Sequence, residues 1–242
     1  METKFNCYGC PQKSQSIFQS THSEALISCL QSKQLLKFNP GEYLISKGEN
    51  SLGIFCIKSG SVKLVKDNSQ GENGLILWIA KAADIIGLDT LINNESHSYS
   101  AIAISPVKAC FIPEKEFKNL LKKNHLLTIN VMKALSQKIN LIEDRIHNIS
   151  SKTVESRLIS CLLGLSVKEG AYIEHSIEDL SGLIGTTKYY MEKIIGKMKK
   201  KNLIAVHKRR IMLLDVNKLK ALGKNETSIL LKKKAMIYEK KT

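Results

Sequence analysis

Between Leu35 and Pro113, apolar and polar residues alternate in short runs: Tyr43–Ile45, Gly53–Ile57, Ser61–Val65, Leu75–Ile79, Tyr99–Ile104 and Lys108–Ile112. Alternation with a period of two is the mark of strands that bury one face. Turn formers punctuate the runs at Pro40-Gly41, Gly48, Ser59-Gly60, Gly71 and Gly87. Regularly spaced short strands with glycine turns predict a β-sandwich or β-roll. Ahead of them, Thr21-His22-Ser23-Glu24 has the form of a capping box, and Ala25, Leu26, Cys29 and Leu30 follow at helical spacing. A short helix is therefore expected to start near Thr21.

From about Glu114 the period becomes helical. Met132, Leu135, Ile139, Ile142, Ile146 and Ile149 are spaced alternately three and four apart. That is the repeat of a coiled-coil seam, and the stripe is too narrow for a helix that covers a core of its own. Packing on its own domain is the alternative. The spacing predicts a dimer interface through Met132, Leu135, Ile139, Ile142 and Ile146. The polar stretch His147–Lys152 reads as a hinge.

Val154, Leu158, Cys161, Leu162 and Leu165 then line another helix. Ser176-Ile177-Glu178-Asp179 caps the next, with Leu180, Leu183 and Ile184 as its apolar face and Gly185 as its stop. Thr186-Thr187-Lys188 opens a further helix whose inward residues are Met191, Ile194, Ile195 and Met198. Helix, glycine turn and second helix make a helix-turn-helix, in which the first helix braces the second and the second enters the DNA major groove. Two short runs, Leu203–Val206 and Ile211–Leu214, flank the basic turn His207-Lys208-Arg209-Arg210 and predict a wing.

Charge sharpens this picture. The chain of 242 residues has a formal net charge of +15. Residues 151–242 hold 20 Lys and Arg against 9 Asp and Glu, whereas residues 1–150 hold 17 against 13. A cationic excess concentrated beside a helix-turn-helix points to a polyanion, because cationic side chains displace the counterions condensed on phosphates. The candidate DNA-contacting residues are Thr186, Thr187, Lys188, Tyr189, Glu192, Lys193, Lys208, Arg209 and Arg210. Lys188, Tyr189 and Lys193 are expected to reach base edges. Thr187 and Lys208–Arg210 are expected on phosphates. Glu192 either accepts from a cytosine amino group or repels the backbone.

These elements predict an α+β protein: a sensor domain over 1–114, an antiparallel β-roll of cupin-like jelly-roll type; a long dimerisation helix over 115–148; a winged helix-turn-helix over 149–223; and a Lys-rich tail over 224–242. The order resembles the Crp/Fnr family of regulators. In the roll the resemblance rests on Pro40-Gly41-Glu42, Lys47-Gly48-Glu49, Ile57-Lys58-Ser59-Gly60-Ser61-Val62 and Ile85-Ile86-Gly87. In the second part it rests on Ile177-Glu178-Asp179-Leu180, Leu183-Ile184-Gly185-Thr186-Thr187 and Asn202-Leu203-Ile204. It implies a homodimer that binds an inverted-repeat operator in double-stranded DNA, responds to a signal at the roll and works with RNA polymerase.

The sequence also departs from that family. Members that bind cyclic AMP carry a Glu soon after the glycine matching Gly87, for the ribose hydroxyl, and an Arg for the phosphate. Here Gly87-Leu88-Asp89 and Ser96-His97-Ser98 stand in those places, so cyclic AMP is not expected as ligand. Oxygen-sensing members hold an iron–sulfur cluster on N-terminal cysteines and one in the roll. Cys7-Tyr8-Gly9-Cys10 and Cys110 match part of that set, but Ser16 stands where a third N-terminal thiolate belongs. A cubane prefers four thiolates, so no cluster is expected. Cys7, Cys10 and Cys110 remain candidates for a redox or metal role, and the cofactor, if any, is unassigned. In the recognition helix Tyr189 and Lys193 replace the acidic residue and Arg of familiar members, which implies a different operator.

No run reaches the ~18 apolar residues of a membrane span, and METKFNCYGC lacks the apolar core of a signal peptide. A cytoplasmic protein with reduced cysteines is expected, without a membrane partner. The chain has no P-loop, HExxH or nucleophile elbow, and its six His are scattered, so an enzyme is not expected. Two alternative readings are a ligand-responsive module acting on a protein partner and a thiol- or metal-based redox regulator.

Overall fold

The alternating runs fold as two four-stranded sheets, ordered β1-β8-β3-β6 and β2-β7-β4-β5. The strands are β1 Gln34–Phe38, β2 Tyr43–Ile45, β3 Gly53–Ser59, β4 Val62–Lys66, β5 Leu75–Ala80, β6 Ile85–Ile86, β7 Ser100–Ala103 and β8 Val107–Pro113. The structure, a computed structural model, describes residues 10, 12–21, 33–67, 74–169, 172–207 and 210–223. Cys7, Cys29, the helix expected from Thr21, the turn at Gly71, Lys208, Arg209 and the 224–242 tail lie outside them.

Alternation explains the roll. Val62 and Leu64 of β4 and Val107 and Ala109 of β8 point inward, and join Ile57, Ile86 and Ala101 in a core between the sheets. Lys63 and Lys108 take the opposite faces. The expected Ser59-Gly60 turn is real: Gly60 has φ 87°, and a Cβ there would come 2.3 Å from the Pro106 carbonyl oxygen. Only glycine fits that approach. Three elements were not foreseen: β1, the two-residue β6, and the helix α1, Leu88–Asn93, set between left-handed Gly87 and Asn94. The two-residue β6 and six-residue α1 are too short to show a period, and β1, with no fully buried residue, shows no clear alternation.

The outer face of the β1-β8-β3-β6 sheet is covered in turn. Ile54, Ile85 and Ile112 from the sheet pack with Leu88 and Leu91 of α1, with Ile17 and Phe18, and with Phe117, Leu120, Leu127 and Val131. The last four come from α2, Glu114–Lys123, and α3, His125–Ser151. The single helix expected over 115–148 is thus two. Asn124 breaks it with extended backbone (φ −133°, ψ 93°), and its Oδ1 accepts the Leu127 N–H at 2.9 Å, capping α3. The hinge expected over His147–Lys152 is a further correction. These residues continue α3 to Ser151, and Ser150 and Ser151 hydroxyls donate back to the His147 carbonyl. The chain leaves helical form only at Lys152–Thr153.

The chain divides into two units, with the change falling within α3 between Ile139 and Asn140. The second contains α4 Val154–Glu169, β9 Tyr172–Glu174, α5 Ile177–Ile184, α6 Lys188–Lys200, β10 Ile204–His207 and β11 Arg210–Leu213. Its core gathers Leu158 and Leu162, Leu180 and Ile184, all four inward residues of α6, and Ile173, Ile204 and Ile211 from the small sheet. That sheet has the order β10-β11-β9, so the wing is three-stranded. The strand β9 was missed in the sequence because it buries only Ile173 and exists through pairing with distant β11.

Candidate nucleic-acid interface

The helix-turn-helix is built locally. Ser176 Oγ accepts the Asp179 N–H at 3.0 Å and donates to Asp179 Oδ2 at 2.8 Å, which fixes the start of α5. Gly185 ends α5 in the left-handed region with φ 70°, where a Cβ residue would be strained. Thr187 then caps α6, its Oγ1 accepting the Tyr190 N–H at 3.3 Å. Lys197, Lys199 and Lys200 occupy the last turn of α6, where the helix dipole favours cations. Arg145, near the end of α3, donates to the carbonyls of Gly182 at 3.3 Å and Leu183 at 2.9 Å, two of the terminal carbonyls of α5. Burial lowers its pKa from the ordinary value.

The four apolar residues of α6 are buried, and the packing turns the other face outward. Thr187, Lys188, Tyr189, Glu192 and Lys193 are exposed, with Tyr189 at 77%, and Thr186 is half-buried. These six lie together in the turn and the first two turns of α6. An exposed aromatic flanked by ammonium groups offers stacking area and hydrogen-bond donors to a phosphate backbone or base edge. Tyr190, also exposed, was not singled out from the sequence.

Two candidate cations have acidic partners that sequence reasoning missed. Lys188 makes an ion pair with Glu178 of α5; the hydrogen bond from Lys188 holds the Glu178 carboxyl below its ordinary pKa. Arg210 opens β11, and its Nε donates to Glu174 Oε1 of β9 at 2.7 Å. No local spacing signals either pair, because each forms between elements that meet only in the fold. Lys208 and Arg209 lie outside the described residues.

Among the residues singled out in the roll, Gly87, Asp89 and His97 are tied by polar contacts to buried Tyr99 and Thr90. The Gly87 N–H donates to Tyr99 Oη at 3.2 Å, and Tyr99 Oη donates to Asp89 Oδ1 at 3.0 Å. Burial, reinforced by Asp89, pushes the Tyr99 hydroxyl far above its ordinary pKa, so it stays protonated. Thr90 Oγ1 lies 2.9 Å from His97 Nδ1, and burial lowers the His97 pKa against the pull of Asp89 and Glu49. Lys138 of α3 stands 3.9 Å from the Trp78 ring centroid and 3.4 Å from the Ile85 carbonyl oxygen. A cyclic nucleotide does not fit this set. Leu88 is 1% exposed and belongs to the core, Tyr99 already takes the Gly87 N–H, and the sequence has no arginine before Arg145.

Of the positions compared with the iron–sulfur ligand set, Cys7 lies outside the described residues and Ser16 holds a local turn. Ser16 Oγ donates to the Lys13 carbonyl at 3.0 Å and accepts the Phe18 N–H at 3.2 Å, so its hydroxyl closes a local turn. Among the described residues, no group of three or more His, Cys, Asp or Glu is arranged to hold a metal ion. No described helix is long and apolar enough to cross a membrane.

A β-roll followed by a winged helix-turn-helix with an exposed cationic recognition helix defines a class of DNA-binding regulator. Residues 35–124 match the family Cyclic nucleotide-binding domain, and residues 156–222 match the Crp-like helix-turn-helix domain. The chain is 24% identical over 184 residues to the Global nitrogen regulator of a Nostoc species, covering 72% of this chain and 82% of that protein. It is 26% identical over 193 residues to Electron transport regulator A of Shewanella oneidensis, covering 76% of each. A putative Crp/Fnr-family regulator from Eubacterium rectale superposes with a TM-score of 0.75 at 15% identity, covering 92% of this chain and 100% of that one. The chain belongs to the Crp/Fnr family of transcriptional regulators. It is a transcription regulator with a helix-turn-helix DNA-binding domain, not an enzyme.

Proposed function

We propose that two copies associate through the apolar stripe of α3 and bind an inverted-repeat operator, with DNA affinity set by a signal at the β-roll. In this reading residues 1–114 sense, 115–148 dimerise and 149–223 bind DNA, the protein works in the cytoplasm with RNA polymerase, and the role of the 224–242 tail is unassigned. The observation that carries it is α6, which buries Met191, Ile194, Ile195 and Met198 and presents Lys188, Tyr189, Glu192 and Lys193 together. Met132, Ile139, Ile142 and Ile146 are exposed, which supports the seam. A two-fold dimer places recognition helices roughly 34 Å apart, so half-site centres should lie about 10–11 base pairs apart. The Leu88 core position and the absence of a roll arginine argue that the signal is not cyclic AMP. Millimolar cyclic AMP should leave the melting temperature unchanged, because a ligand bound only by the folded state would raise it.

The deciding experiment measures binding to selected operator and to random duplex at several salt concentrations. Lys193→Ala should cost about 1–3 kcal/mol on the operator and relax preference at one position. Arg209→Ala should weaken both duplexes alike and reduce the salt slope by about one. If neither Lys193→Ala nor Lys188→Ala alters the ratio of specific to non-specific affinity, α6 is not the reader.

A further inference from the structure

Cys56 and Cys110 lie far apart in sequence, but the antiparallel pairing of β3 with β8 sets them directly opposite one another. The next pairs of that register towards β3's start are Phe55 with Phe111 and Ile54 with Ile112. Strand alternation puts Cys56 and Cys110 on the face of Ile54 and Ile112, the face covered by helices. Leu35 of β1 lies opposite Cys110, and Ile85 of β6 lies opposite Cys56. The row across the sheet is therefore Leu35, Cys110, Cys56, Ile85, with the two thiols at its centre. Opposed residues in an antiparallel pair have Cα atoms about 4.5 or about 5.5 Å apart. A disulfide spans Cα separations of about 4.4–6.8 Å. Both thiols are half-buried rather than fully enclosed, and the structure has no disulfide between them.

We propose that Cys56 and Cys110 form a reversible cross-strand disulfide on exposure to a hydroperoxide. One thiolate attacks a peroxide oxygen; the O–O bond breaks, leaving a sulfenic acid and, with a proton, water or an alcohol. The second thiolate attacks the sulfenic sulfur, the S–S bond forms, and the departing hydroxide takes up a proton as water. Each cysteine sulfur loses one electron and the peroxide gains two. A reducing cytoplasm restores both thiols by exchange, so the bond is transient there.

The position of the pair gives the bond a route to α3. Cys56 packs against the cluster that holds Leu135 and Val131, and the neighbouring Ile85 carbonyl faces Lys138. Drawing the sulfurs to about 2.05 Å shifts the row on which that helix rests. This second part rests on the proposed control of DNA affinity by the roll.

The test treats the reduced full chain with hydrogen peroxide, blocks remaining thiols by alkylation and maps peptides without reduction. One linked peptide pair, Cys56 with Cys110, lost on dithiothreitol treatment, is expected. A linkage between other cysteines, or Cys56 and Cys110 still alkylated while Cys7 and Cys10 are oxidised, overturns the proposal. The mapping uses the natural chain, so it does not depend on any variant folding. Operator affinity is then compared between reduced and oxidised protein, with a Cys56→Ser/Cys110→Ser variant as control. A change of at least about threefold in the natural chain and none in the variant supports the coupling. A linkage without any change in affinity overturns the coupling alone. Failure to bind any operator in either state sinks the DNA reading and leaves the mapping result standing.

Discussion

Helices α3 and α6 carry the same kind of pattern and meet opposite fates. Each has apolar residues three and four apart with polar residues between. In α6 the stripe of Met191, Ile194, Ile195 and Met198 is consumed by its own unit, and none is more than 4% exposed. In α3, Leu127 and Val131 are consumed and Leu135 is half-covered, but Ile139 and Ile142 are 56% and 57% exposed, and Ile146 is 62% exposed. A covered stripe orients the polar face of its helix, while an uncovered stripe this long marks an interaction surface. In one helix the apolar residues serve the chain's own core; in the other several are left outside it, as the proposed dimer seam requires.

The largest expected effect comes from breaking the uncovered stripe. Ile139→Glu together with Ile142→Glu should dissociate the dimer. Four half-exposed isoleucines at ~1 kcal/mol each remove about 4 kcal/mol from association, roughly a thousandfold in the dissociation constant. Light scattering should report a monomer whose melting temperature is little changed; a persisting dimer rules out this seam. Breaking the covered stripe should act the other way. Met191→Ala leaves a cavity in the second unit's core and should cost about 2–5 kcal/mol of stability, read by denaturant unfolding, with dimerisation intact. Wild-type stability in that variant would mean that α6 is not held by its apolar face. The smallest effect sharpens the comparison. Ser176→Ala removes the cap of α5, the brace of α6, and should cost about 1 kcal/mol. DNA affinity should fall with stability and recover with Ser176→Asp, which caps equally well.

Much of this was legible because it is local. Six strand runs were placed within a residue or two at most ends, since alternation and glycine turns write the pleat into neighbouring positions. The same holds for α5 and α6, whose caps at Ser176, Gly185 and Thr187 act within four residues of themselves. The break at Asn124 was local too, a capping residue inside a helical period, and was overlooked because the apolar spacing continues through it. The hinge was misread for a different reason: His147–Ser151 is polar, and polarity does not end a helix without a breaker. Among the candidate contacts, the outward set on α6 followed from subtracting the apolar stripe. The Glu178 partner of Lys188 and the Glu174 partner of Arg210 did not, since nothing in the spacing says which carboxylate will be near.

The sequence by itself therefore determined most of the longer strands and helices, where several of them start and stop, and which face of each is apolar. Those features depend on backbone sterics, capping and hydrophobic period over a few residues. Only the tertiary structure decided which apolar faces are covered, that β9 joins the wing, that Tyr99 bridges Gly87 and Asp89, and that Cys56 faces Cys110 across two strands. Each is a meeting of residues remote in sequence, fixed by strand register and by the crossing of the chain, and local periodicity carries no record of either.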